Sequence, residues 1–293
     1  MPISGFGRSF MVAALVDIDE LTKAIDHLEP LPQSTTRLAS LLLDDDSDLD
    51  EIVRVSSLDQ ALTASLLRMA NSAASAGRRN IVNPKDAVMR LGRGTILSLV
   101  MASGVQSRMV AAIPQYGLSE RALWSHSVAA AVAAEVIPKF CEVPVPPEAY
   151  ASALLHDIGK LVMCRFLSPE IMEFLRQAYE EGGLSPFDAE REVLQVHHAE
   201  LGGLVARHWG LPDGIVNGIN YHHDPSEGGE RIGYVVYLAN VTAHVVESDP
   251  DEEVSLPSDF EETIGELGVS LERFEKLCAT TEEKFQQVQS VYG

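Results

Sequence analysis

The chain has little positive charge, few aromatic residues and almost no cysteine: 22 lysines and arginines stand against 43 acidic residues, aromatics make up 6%, and there are three cysteines in 293 residues. A net charge of −21 repels nucleic-acid backbones and anionic lipid surfaces unless positive charge is gathered somewhere. Cys141, Cys164 and Cys278 are odd in number, far apart and without C-x-x-C spacing. That excludes a disulfide framework and a cysteine zinc site, and reduced thiols in a cytoplasmic protein are the expectation. Long hydrophobic runs are missing too. The longest uncharged stretch, within GTILSLVMASGVQS at 94–107, is too short to cross a bilayer, so no membrane span is predicted. The opening RSFMVAALVDIDE meets Asp17 at once and reads as a lead-in to a first helix rather than as a signal peptide.

Alternating strand patterns and Asn-Gly hairpin signals are also lacking, while helical spacing is everywhere. Leu38, Leu41 and Leu42 fall on one stripe, as do Leu62, Leu66 and Met69. Asp48 and Glu51 stand at capping-box spacing. Asn83-Pro84, Ser168-Pro169 and Ser185-Pro186 each pair an N-cap residue with a proline at the first helical position, where its missing N–H costs nothing. The fold class predicted is all-α. AIPQYGLSE at 112–120 is the best internal break. It divides an N-terminal helical part (1–115) from a central part (116–250), followed by an acidic connector and last helix (251–293), in which Leu271, Phe274, Leu277, Phe285 and Val288 share a side.

Charge is uneven. From Arg68 to Arg108 there are seven basic residues and one acidic residue, a surplus of +6 that leaves −27 for the rest of the chain. A solvated face that balances charge is the simpler reading, and a dock for an acidic partner, centred on Arg78 and Arg79, the sharper one.

Seven of the nine histidines lie between residues 126 and 223. Six of these occur as His126 in LWSHSVAAA, His156-Asp157 in LLHDIGKL, His197-His198 in VLQVHHAELGG and His222-His223 in INYHHDP. His27 and His208 are isolated and read as hydrogen-bonded core residues. Imidazole and carboxylate suit divalent metals, and helical bundles build such sites from facing helices. Spacing alone yields a helical protein with a His-rich metal site and names no function.

The ordered set LEPLPQSTTRLASLL, VSSLDQALTASLLRMANSA, NIVNPKDAVMRLGRGTILSLV, LWSHSVAAA, ALLHDIGKLVM, HHAELGGLVARHWGLPDGI and INYHHDP resembles the HDOD branch of the HD superfamily of metal-dependent phosphohydrolases, over roughly residues 21–245. The resemblance implies an HD-type helical bundle with a smaller N-terminal bundle packed against it. It implies metal ligands at His126, His156, Asp157, His198, His222 and His223, with Asn240 at the last position. Asp157 and Lys160 take the catalytic positions, Lys160 facing substrate phosphate. His197 replaces a commonly acidic residue behind the ligands. The cofactor implied is a divalent ion, with Fe, Mn, Zn, Ni and Mg not distinguished.

Two departures matter. Active relatives place a carboxylate where this chain has Asn240, and the GYP segment that accompanies cyclic-dinucleotide cleavage is missing. His244, one helical turn past Asn240, reads as a partly exposed helix residue and is the candidate to replace the lost ligand. The resulting expectation is a bacterial, cytoplasmic signal-transduction module that binds a signalling protein or a small nucleotide ligand, with no role at membranes; nucleic-acid binding ranks last, resting only on the basic 68–108 segment. The alternative is a phosphohydrolase acting on a nucleotide or cyclic nucleotide. A third reading leaves His156 and Asp157 as a structural pair, hydrogen-bonded to each other in the core.

Overall fold

In a computed structural model, Lys23, Ile25 and residues 28–71, 81–180, 183–249 and 254–292 are described. The lead-in before residue 22, His27, Arg78 and Arg79 lie outside them. Among the described residues the protein is helical throughout, with a single isolated bridge between Ile113 and Leu118.

The first helices are α1 (Gln33–Leu43), α2 (Leu49–Ser56), α3 (Gln60–Ala70) and α4 (Pro84–Met109). The expected starts hold: Asn83 accepts the Lys85 N–H at 2.9 Å and Ser185 that of Asp188 at 3.0 Å. Asp48 caps α2 through the Asp50 N–H, and Glu51 turns away to pair with Arg37 at 2.6 Å instead of closing a capping box. The stripes fall inward as the spacing predicts, with Leu38, Leu41, Leu42, Leu62 and Leu66 buried.

Helix α4 corrects one expectation. At 26 residues, with an 18-residue window of mean hydropathy 1.2, it has the length and composition of a membrane span. Half of that window is buried inside the protein, where α4 packs on α1, α2 and α3. Its first turns are set off by Gly92, whose φ of 76° breaks the helical path. The next residue, Arg93, donates to the carbonyls of Leu41 at 2.9 Å and Ser47 at 3.0 Å, tying α4 to the α1–α2 turn.

Other basic residues of this segment are also engaged internally. Lys85 pairs with Asp50 at 2.6 Å, Arg90 donates to the Ala70 carbonyl at 3.3 Å, and Arg108 donates to the Pro30 carbonyl at 3.0 Å while lying over Trp209. Arg78 and Arg79, on which the expected dock is centred, lie outside the described residues.

A turn containing a 3-10 segment, Pro114–Tyr116, leads to α5 (Ala122–Val136). Then come α6 (Ala149–Leu155), α7 (Gly159–Phe166), α8 (Pro169–Glu180), α9 (Pro186–Leu194), α10 (His198–His208), α11 (Asp213–Asn220), α12 (Pro225–Gly228), α13 (Arg231–Glu247), α14 (Phe260–Gly265) and α15 (Leu271–Tyr292). Helix α5 is apolar around most of its circumference. Its alanines let α6, α13 and α15 approach closely, and residues 128–134 are all buried. Of the expected α15 stripe, Phe274, Leu277 and Phe285 are buried while Leu271 is exposed. One apolar cluster runs from Ile25 to Phe285.

Candidate metal centre

Polar side chains gather where helix ends meet two long buried helices. His126 comes from α5 and Asn240 from α13; His156 and Asp157 occupy the turn between α6 and α7; His198 opens α10; His222 and His223 follow α11. His126, His156, Asp157, His198, His222 and Asn240 are all buried, and His223 is half-buried.

The local chain aims the imidazoles. His156 Nδ1 donates to the Ala153 carbonyl and His222 Nδ1 to that of Ile219, each at 2.7 Å across a helix end. Both rings therefore carry their proton on Nδ1 and turn a bare Nε2 inward. Those two Nε2 atoms are buried without a hydrogen-bond partner. Such orphaned acceptors are costly unless something electrophilic meets them.

Asp157 stands between them. Its Oδ2 lies 3.5 Å from His156 Nε2 and 4.0 Å from His126 Nε2, and its Oδ1 lies 3.2 Å from His198 Nε2 and 4.0 Å from His222 Nε2. Two donor groups result, His126–His156–Asp157 and His198–His222–His223, each with its ligand atoms within 4.8 Å of one another. This donor set fits a divalent metal: imidazoles from several elements, one shared carboxylate and, on His156 and His222, unpaired inward nitrogens. The pairing of His156 with Asp157 alone does not account for it, since His156 Nε2 makes no hydrogen bond.

The electrostatics agree. Burial pushes His156 down to about 4 despite the pull of Asp157, and burial with neighbouring imidazoles holds His222 and His223 well below the usual histidine range. All three are free bases at neutral pH. Burial alone would raise the Asp157 carboxyl, but Lys160, His156 and His198 outweigh it and hold it well below the usual carboxylate range. Lys160 Nζ is 2.6 Å from Asp157 Oδ2. His198 goes the other way: burial opposes its charge, yet Glu190 and Asp157 raise it to about 8.

The close fit of α7 on α10 depends on glycine. A Cβ on Gly159 would stand 1.9 Å from the His198 carbonyl oxygen, so only glycine lets the HD turn approach the start of α10.

Other histidines take different places. His197 is the N-cap of α10, facing Glu200 in a capping box, and its ring packs on Phe187 rather than behind a ligand. His208 is exposed at the end of α10, not in the core. His244 is exposed at the rim, its ring centroid 4.4 Å from that of His126.

Three residues of the centre carry no mark in the motif text. Glu190 accepts from His198 Nδ1 at 2.6 Å, Tyr116 donates to Glu190 at 2.7 Å, and Glu247 accepts from His126 Nδ1 at 2.8 Å. Glu247 follows Asn240 by two helical turns, so the period of α13 could have revealed it. Nothing local marks Glu190 or Tyr116.

The sequence model of the HDOD domain matches residues 28–225, and the chain belongs to that family. An uncharacterized protein of Treponema pallidum (strain Nichols) is 26% identical over 236 residues, covering 78% of this chain and 45% of its own length. The chain thus spans under half of that curated relative. Among solved structures, an HDOD domain protein of unknown function from Geobacter sulfurreducens aligns over 94% of this chain and 98% of its own, with a TM-score of 0.69 and 22% identity. A candidate phosphohydrolase from Shewanella amazonensis SB2B aligns over 92% and 93%, with a TM-score of 0.66 and 25% identity. A candidate signal-transduction protein from Marinobacter aquaeolei VT8 aligns over 96% and 66%, with a TM-score of 0.70 and 20% identity.

Proposed function

We propose that this chain is a cytoplasmic bacterial signal-transduction module whose HDOD domain holds a divalent ion and acts by binding a signalling protein or a small nucleotide ligand, without efficient turnover. His126, His156 and Asp157, with Asn240 beside them, would hold one ion, and His198, His222 and His223 offer a second set. A bound divalent ion would supply Lewis-acid polarisation of a phosphoryl oxygen and a lowered pKa for water. The observation that carries the regulatory reading is Asn240: the group facing His126 Nε2 at 2.9 Å is a neutral amide. Two nearby dications need anionic ligands to offset their repulsion, and Asp157 is the one carboxylate in the two donor groups.

A second reading, a metal-dependent phosphohydrolase, draws on Lys160. Its ammonium touches Asp157 yet keeps 16% of the side chain exposed, where it could meet an anionic substrate and steady developing charge.

Metal content of the purified full chain, measured beside hydrolysis of bis(p-nitrophenyl) phosphate and a panel of cyclic nucleotides, separates the two. About one ion per chain with negligible turnover is expected. Two ions and sustained turnover would make the protein an enzyme, and no uptake of any divalent metal would end both readings.

A further inference from the structure

The turn joining α4 to α5 carries a side chain to the edge of the centre. Ile113 and Leu118 pair backbone to backbone at 2.9 and 3.1 Å, closing the turn around Tyr116. The Tyr116 hydroxyl donates to Glu190 Oε1 at 2.7 Å. The other oxygen, Glu190 Oε2, accepts from the His198 backbone N–H at 2.7 Å and from His198 Nδ1 at 2.6 Å.

Glu190 is 1% exposed. A carboxylate so far from water is costly unless donors surround it, and the three donors it has are Tyr116 and two groups of His198. Its acceptance from Nδ1 requires the proton to sit there, which commits His198 Nε2 to the inner side, 3.2 Å from Asp157 Oδ1. His156 and His222 are oriented by backbone carbonyls of their own helices. His198, at the first position of α10, has no preceding helical turn to offer such a carbonyl, and a side chain from α9 fills the role. Tyr116 also lies near the lysine that pairs with Asp157: the Lys160 ammonium, 2.6 Å from Asp157 Oδ2, lies 5.7 Å from its ring centroid, within reach of a cation–π attraction.

We propose that Glu190 and Tyr116 are positioning residues of the centre: Glu190 fixes the tautomer and direction of His198, and Tyr116 holds Glu190 and ties it to the turn that leaves α4. This rests on the metal-centre reading above. Carboxylates placed behind ligating histidines raise their basicity and fix their orientation, and their loss costs about 10–100-fold in metal affinity. Through Tyr116 the N-terminal helices gain a mechanical route to the centre, which is what a regulatory module requires.

The test uses the full chain with Mn2+ and Zn2+ as probes and ring-nitrogen NMR of 15N-histidine-labelled protein. In the wild type, His198 is expected to be protonated at Nδ1. Glu190→Gln should disturb that signature and weaken metal binding about 10–100-fold, and Glu190→Asp should restore part of both. Tyr116→Phe, which removes one hydroxyl, should weaken binding roughly threefold or more, the effect of one lost hydrogen bond. A folded Glu190→Gln protein with wild-type affinity and an unchanged His198 signature would overturn the proposal. Should Glu190→Gln not fold, Tyr116→Phe decides, and unchanged affinity there overturns it. If the wild type takes up neither ion, the metal reading fails by itself. The His198 signature then decides the positioning role alone, supporting it if Glu190→Gln alters the signature and overturning it if not.

Discussion

Asn240 Oδ1 and His126 Nε2 face one another at 2.9 Å while Glu247 Oε2 lies 2.8 Å from the other ring nitrogen of His126. With the Nδ1 proton given to Glu247, a neutral His126 would point a lone pair at the amide oxygen. The contact becomes favourable when the ring carries both protons, when the amide presents its N–H2 instead, or when a cation is shared between the two acceptors. The negative charge on α13 thus sits behind His126, at Glu247, rather than in front of it.

Returning a carboxylate to the front should strengthen the centre. At 4 Å and an effective dielectric of ~20 a new anion attracts a cation by ~4 kcal/mol, and its own desolvation offsets much of that. Asn240→Asp is therefore expected to raise metal affinity roughly tenfold, ~1.4 kcal/mol, with more metal retained per chain after dialysis against a chelator. His244→Ala, which removes a ring packed on the outer side of His126, should leave metal content unchanged. If His244→Ala loses metal while Asn240→Asp gains none, His244 has taken the missing position.

Metal binding should depend on pH through His198. Its pKa is raised to about 8, so below that pH the ring is an imidazolium donating to both Glu190 and Asp157, and a metal must displace the Nε2 proton. Affinity should fall about tenfold per pH unit as pH drops below about 8 and level off above it. His156, down at about 4, adds no second proton until the medium is strongly acidic. Titration between pH 6 and 9 checks this, and a flat profile from pH 6 to 8 would remove His198 from the ligand set.

Gly159 is expected to be irreplaceable. The alanine Cβ would meet the His198 oxygen at 1.9 Å and the Gly202 nitrogen at 2.6 Å, both backbone atoms that move only if α7 and α10 separate. Gly159→Ala should cost about 1–3 kcal/mol in urea denaturation and weaken metal binding, because the same separation draws His198 from Asp157. Gly94→Ala on α4 meets nothing within 4 Å and serves as the control, neutral or stabilising by up to ~1 kcal/mol. Equal stability of the two variants would show that the crossing does not depend on Gly159.

The helical character of the chain, the capped starts at Asn83 and Ser185 and the inward stripes of α1 and α3 follow from the sequence alone, because periodicity and capping act within one or two turns. The order of His126, His156-Asp157, His198 and His222-His223 was legible for the same reason, as text within single helices or their ends. What lies around those residues was decided by tertiary structure. Glu190 reaches His198 by the turn between α9 and α10, and Tyr116 reaches Glu190 from 74 residues away in the chain, so no spacing rule connects them. Helix packing also decided that His197 caps α10 and His198 turns inward. A burial cost shared among side chains from five helices and the turns between them is a property of their packing, and no single stretch of sequence contains it.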